Sequence, residues 1–255
     1  MNKIFELNNS LLQLAENLQD EFSKRKIKRD TLTSDLFLLC FFFTKASKTA
    51  SAIVHLCQQG YAEDAYILAR TVFEIVAKSL YVFKIDSIDR ARAFILYDHI
   101  EKRKRLQKLA NWTKEKSIIN QEVEEELKKE EEACINLEKG YQIEEKKVRW
   151  SENLEEVTKE VDLTHQYYTS YCLSSHYVHT AIRSSRSFVS ETDKGLSFYI
   201  GPNEQLSQEV LIWLFDSFRQ IVREFDNRFN LGYQEKVSAV EERFGEFMKS
   251  VINQE

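Results

Sequence analysis

The chain has 255 residues, 43% hydrophobic and 30% charged, with a formal net charge of −5. That balance belongs to a globular chain rather than a disordered one. It also removes the global basic footprint that extended, non-specific nucleic-acid binding requires, while leaving room for a local basic cleft.

One proline and six glycines are few breakers for this length, so long helices are expected. The chain opens on Met-Asn-Lys-Ile-Phe-Glu, with no cationic stretch leading into an apolar one, so no signal peptide is read. Ile4, Leu7, Leu11, Leu14, Leu18 and Phe22 recur at three- and four-residue steps and predict a first helix from about Asn2 to Lys24. A basic connector follows, Lys24 to Arg29. A second helix starts near Thr33 or Ser34, with Asp35 well placed in its first turn. Its apolar run, Leu36 to Phe43, ends at Thr44-Lys45, far short of the roughly 20 residues of a membrane span. A cytoplasmic, soluble protein that makes no membrane contact is the expectation.

The second helix then turns small and polar (Ala46, Ser47, Ala50, Ser51), which suits the centre of a bundle, and Gly60 suits its C-terminal cap. A third helix covers Ala62 to about Lys84. Ser87 can cap a fourth, which runs to about Lys114 through the basic stretch Lys102-Arg103-Lys104-Arg105. The fifth, about Ser117 to Lys139, is dominated by Glu and Lys. It reads as a solvated, projecting helix or as half of a charged hairpin with the fourth, over about 100–140.

Ser151 can cap a short sixth helix, and another follows from about Thr164. Ser187-Phe188-Val189 and Leu196 to Ile200 flank Asp193-Lys194-Gly195 and suggest one small β-hairpin. After the break at Gly201-Pro202-Asn203, a long helix spans about Gln205 to Asn230, Gly232 ends it, and a last amphipathic helix covers about Glu235 to Ile252. The expected fold is an all-α bundle of eight or nine helices in a single domain, 1–255. It carries the charged hairpin as an excursion and at most one short β-hairpin. Cys40, Cys57, Cys134 and Cys172 form no CxxC and read as reduced thiols, with Cys40 and Cys57, in apolar helical stretches, expected to be buried and inert.

Two stretches carry the chemistry. In Ala69-Arg70-Thr71-Val72-Phe73-Glu74, Arg70 and Glu74 lie one turn apart on a helix that otherwise looks made for a core. In Tyr171-Cys172-Leu173-Ser174-Ser175-His176-Tyr177-Val178-His179, the side chains of Tyr171, Ser175 and His179 share a face. Taken alone, Arg70–Glu74 is an ordinary intrahelical pair. Set among Ala65, Leu68, Val72, Phe73 and Val76, it is a pair that needs further partners, since burying charge is costly. Tyr171, Ser175 and His179 can supply them.

A lone helical histidine is more often structural than catalytic, and no acidic third member of a triad is assignable. Arg183 and Arg186 follow His179 and suit the mouth of a site for phosphate or carboxylate. No P-loop, GxGxxG, HExxH or ExxH pattern occurs, so neither a metal nor another cofactor is expected.

Taken in order, the two stretches resemble a bacterial helical family known only as a domain of unknown function. Its pattern is a glycine followed by Ala-x-x-Leu-x-Arg-x-x-x-Glu, and far downstream Tyr-x-x-Leu-Ser-x-x-x-His. Gly60, Ala65, Leu68, Arg70 and Glu74 match the first half; Tyr171, Ser175 and His179 match the second. Leu173-Ser174 sits one place out of register, so either Ser174 or Ser175 fills the serine position. The resemblance spans about Phe37 to Pro202 and implies an all-α fold with a shared polar site. Arg92 and His99 also fit the Arg-x4–6-His spacing of HEPN ribonucleases, all-α proteins often active in bacterial defence, but the polar residue that often follows the arginine is Ala93 here.

Three readings compete. In the first, an enzyme acts on RNA or a nucleotide, with His179 as general acid or base, Arg70 stabilising phosphate charge, and Glu74 and Ser175 beside them. In the second, a non-catalytic module binds a protein partner or forms a homodimer, and the same residues make a structural network. In the third, Arg183 or Arg186 holds the anion of a small-ligand sensor.

Overall fold

The computed structural model describes residues 2–28, 32–116, 120–143, 150, 153–179, 182–193, 195–198, 201–202 and 206–253. The fold is all-α with one two-stranded hairpin, as the scarcity of breakers implies. It divides into two compact units: residues 1–32, 36–81 and 153–255 in the first, 33–35 and 82–152 in the second.

The first unit is a helical bundle. Helices α1 (Asn2–Lys24), α9 (Ser207–Phe229) and α10 (Gln234–Ile252) pack on one another, and α2 (Ser34–Gln58) and α3 (Ala62–Lys84) complete the core. The three- and four-residue spacing read in α1 is the spacing of its buried face, Ile4, Leu7, Leu11, Leu14 and Leu18. Aromatic rings knit the helices. Phe43 of α2 stacks on Phe225 of α9 at 3.9 Å between centroids, and Phe22 meets Phe225 edge-on at 5.3 Å. Buried Asn8 donates to the carbonyls of Ile4 (2.9 Å) and Leu211 (3.1 Å), which fixes α1 against α9 with no amide hydrogen wasted on an apolar wall.

Helix α2 is long and apolar enough, by length and composition, to cross a membrane. The run Leu36–Phe43 understates it, because the small residues beyond Thr44 continue the helix. Leu39, Phe43, Ala46, Ala50 and Ile53 are buried in the bundle, and the core helix of a globular unit passes the same test. Gly60 adopts φ +80°, the left-handed turn that ends α2. At the end of α9 that conformation falls on Asn230 (φ +47°), two residues before Gly232, and the Arg25 guanidinium donates to the Asn230 carbonyl at 2.9 Å.

Between α3 and α9 the same unit holds α6 (Leu154–Glu160) and a broken helix. The latter is built of α7 (Thr164–Gln166), a π-helical segment (Tyr167–Tyr171) and α8 (Cys172–Val178). A 3-10 turn (Ile182–Ser187) leads to β1 (Val189–Thr192) and β2 (Gly195–Phe198), paired antiparallel with Val189 opposite Phe198. Helix α6 is capped by Asn153, whose side chain accepts from the Glu155 N–H at 3.1 Å; Ser151, expected as the cap, lies outside the described residues.

The second unit is the helical hairpin of α4 (Ser87–Glu115) and α5 (Gln121–Tyr141). Leu96, Ile100 and Cys134 form its small core, with Leu137 and Ile143 packed against it. Ser87 does not cap α4. Asp86 occupies that position with φ +47°, and the Ser87 hydroxyl donates instead to Asp35 at 2.6 Å.

Candidate functional site

Helix α3 presents Arg70 and Glu74 one turn apart, with Ala69, Val72, Phe73 and Val76 buried around them. Only 20% of the Arg70 side chain and 34% of Glu74 remain exposed. Opposite them, Tyr171 closes the π-helical segment, where the Cys172 N–H reaches back to the Tyr167 carbonyl. A π turn adds a residue to the repeat and so re-aims every side chain after it. Tyr167 stacks on Tyr171 at 5.3 Å and Phe73 packs against it at 5.6 Å, so neighbouring rings hold the Tyr171 ring in place.

The Tyr171 hydroxyl is the hub. It accepts from Arg70 Nη2 at 2.6 Å and donates to Glu74 Oε1 at 2.7 Å. The Arg70 guanidinium lies over the Tyr171 ring with Cζ 4.0 Å from the centroid. Arg70 Nη1 donates to Ser175 Oγ at 2.6 Å, and Arg70 Nε approaches Glu74 Oε1 at 3.5 Å. Burial, with the Glu74 carboxylate beside it, pushes the Tyr171 hydroxyl well above the usual tyrosine range, while Arg70 pulls the other way. Tyr171 therefore stays a neutral donor toward Glu74.

The two adjacent serines have different partners. Ser175 meets Arg70, whereas Ser174 is fully buried and donates back to the Tyr171 carbonyl at 2.7 Å. Four of the sequence-selected residues, Arg70, Glu74, Tyr171 and Ser175, thus touch one another. Among the described residues, no hydrogen bond or ion pair joins the His179 ring to them. His179 is the exposed C-cap of α8, and its backbone N–H donates to the Ser175 carbonyl at 3.0 Å. The side chains of Arg183 and Arg186 lie outside the described residues.

Arg92 and His99 both sit on α4 in the second unit. The His99 Nδ1 contacts Glu130, and the Arg92 guanidinium lies 5.6 Å from the centre of the Tyr141 ring. Among the described residues no group of three or more His, Cys, Asp or Glu side chains is placed to hold a metal ion.

Sequence reasoning did not single out one feature of the first unit. A cavity of about 700 Å3 is lined by His165, Gln166, Thr169 and Ser170 of the broken helix and by residues of α9 and α10, among them Trp213 and Asp216. Its one legible sign is Asp216, an acid inside the apolar stretch from Val210 to Phe218. The π segment hid the rest, because it changes which residues of 165–171 share a face.

A family model described as a family of unknown function (DUF5677) matches residues 36–196, more than half of the chain, which therefore belongs to that family. Neither the curated proteins nor the solved structures contain a match.

Proposed function

We propose that the Arg70 cluster is a phosphate-recognition site for RNA or a nucleotide. His179 is the proton-transfer group beside it, in an enzyme of HEPN-like, defence or toxin type that works in the cytoplasm. One observation carries this reading. Arg70 is held in place by Tyr171, Ser175 and Glu74, yet one N–H on each of its terminal nitrogens has no partner among the described residues. A guanidinium so fixed, still one-fifth exposed, offers charge-assisted donors to a phosphate with little ordering cost. His179 lies one helical turn beyond Ser175 and is open to solvent, as a general acid or base must be to reach a bound ligand.

A second reading has its own support. Tyr171 is only 9% exposed and every one of its polar contacts is internal, as in a network that simply fixes α3 against α8. On the β-hairpin and the turn before it, Ile182, Leu196 and Phe198 are 85%, 66% and 70% exposed, which suits a protein partner or a second copy of the chain. Binding of a fluorescent single-stranded RNA and of ADP, measured against salt, separates the two. The phosphate reading expects binding that weakens with salt and with Tyr171→Phe. It also expects His179→Ala to bind normally but lose cleavage. Absence of binding, with a normal fold in both variants, returns the cluster to the structural reading.

A further inference from the structure

The cavity beside α9 carries two polar atoms that the protein leaves unpaired. Trp213 Nε1 and Gln166 Oε1 are both buried and neither has a hydrogen-bond partner among the described residues. Trp213 is 4% exposed. Buried polar groups are nearly always paired, so a donor and an acceptor orphaned on residues lining one cavity need an explanation. Some of the neighbouring polar groups already have partners. Gln166 Nε2 donates to Asp216 at 3.2 Å, Arg219 donates to the other Asp216 oxygen at 2.7 Å, and Glu209 accepts from the Tyr66 hydroxyl at 2.8 Å.

The lining sets the chemistry of an occupant. It must bring an acceptor for the indole N–H and a donor for the glutamine carbonyl. The wall carries the carboxylates of Glu209 and Asp216 and, among the described residues, no lysine or arginine, so anions are disfavoured. Ile212, Met248 and Phe244, the last stacked on Phe215 at 4.1 Å, give flat apolar surfaces. The volume suits a small molecule.

We propose that this cavity binds a neutral or cationic planar heterocycle whose edge sets an N–H donor beside a ring-nitrogen or carbonyl acceptor, the edge shared by nucleobases and nicotinamide. Trp213 supplies the donor and Gln166 the acceptor. Both atoms are closed to solvent, so an occupant must displace neighbouring side chains to reach them. The proposal is independent of the Arg70 reading, since no residue it uses belongs to that cluster.

The indole N–H signals of Trp112, Trp150 and Trp213 in a 15N-labelled sample of the full chain test it, with Trp112→Phe and Trp150→Phe assigning Trp213 by elimination. Adenine and nicotinamide are titrated into the millimolar range, with benzoate as an anionic control. The expected result is a saturable downfield shift of the Trp213 signal with a heterocycle and none with benzoate. Gln166→Leu is expected to weaken the affinity about tenfold, because it removes that acceptor; it also removes the Nε2 bond to Asp216, so the melting temperature of the unliganded variant checks that it stays folded. An unmoved Trp213 signal overturns the proposal and leaves the cavity to water. An equal response to benzoate, or an affinity indifferent to Gln166→Leu, overturns it as well.

Discussion

Tyr171 shows how one atom can hold a site together. Its hydroxyl both accepts from Arg70 and donates to Glu74, so a neutral donor–acceptor separates two charges that meet directly only at 3.5 Å. Tyr171→Phe keeps the ring stacked on Tyr167 and removes only that atom. It is expected to cost about 1–3 kcal/mol, the range for stranding buried partners of a hydrogen bond. Ser175→Ala is expected to cost less, because Arg70 keeps its other bonds. Urea unfolding of the two variants checks the order, and a neutral Tyr171→Phe would show that the cluster adds nothing to stability. Thiol chemistry gives a second residue-level outcome. Burial pushes Cys57 up to about 12 and Cys40 up to about 11, so neither is a thiolate at neutral pH. Ellman's reagent at pH 8 is expected to reach Cys57 only after denaturant is added; rapid labelling of the native protein would contradict its burial. The pairing of Arg70 with Glu74 and the row Tyr171–Ser175 were legible in the sequence, because helical spacing alone creates them. The hub role of the hydroxyl was not, since spacing along one helix does not say what faces it across a gap.

Elements were legible where one period runs unbroken. Helices α1 and α3 begin and end where the apolar repeat and the flanking residues place them. The sequence of the broken helix reads as regular, because a π segment leaves no signature in composition. The charged hairpin differs in another way. Its Glu and Lys runs read as a solvated surface, yet Glu130 is 3% exposed and is held by Lys102 at 2.7 Å and by His99. A charge pattern cannot say which glutamate the partner helix will cover. Burial pushes the Glu130 carboxyl upward, but the hydrogen bonds from Lys102 and His99 outweigh it and hold it below the usual range. A carboxylate depressed in the folded state lends stability that is complete above its unfolded pKa, about 4.3. That stability is lost as pH falls through the lower, folded value. The α4–α5 hairpin is therefore expected to weaken on acidification below about pH 4.3. Glu130→Gln is expected to flatten that slope while lowering stability at pH 7. Circular-dichroism melts of both proteins across pH 3–7 decide it, and parallel pH profiles would remove Glu130 from the account.

Across the whole chain, burial is distributed unevenly, and local stability should follow it. Helix α9 buries a full stripe, Val210, Leu211, Leu214, Phe215, Phe218, Ile221, Val222 and Phe225, and its Phe225 ring lies against those of Phe43 and Phe22. Helix α5 buries only Glu130 and Cys134. At roughly 25 cal/mol per Å2 of apolar surface removed from water, a helix with a continuous buried stripe opens only with its bundle, whereas one with two buried positions can open locally. Native-state hydrogen exchange is thus expected to show amides of α9 exchanging near the global unfolding free energy and those of α5 exchanging far sooner. Phe225→Ala should then cost about 3–5 kcal/mol and lower protection throughout α1, α2 and α9, because its ring is shared by all three. Glu122→Ala, on the exposed side of α5, should change nothing beyond α5 itself. If α5 proved as protected as α9, contacts made on folding would have to outweigh its sparse burial, and the ranking of helices by buried apolar surface would fail for this chain.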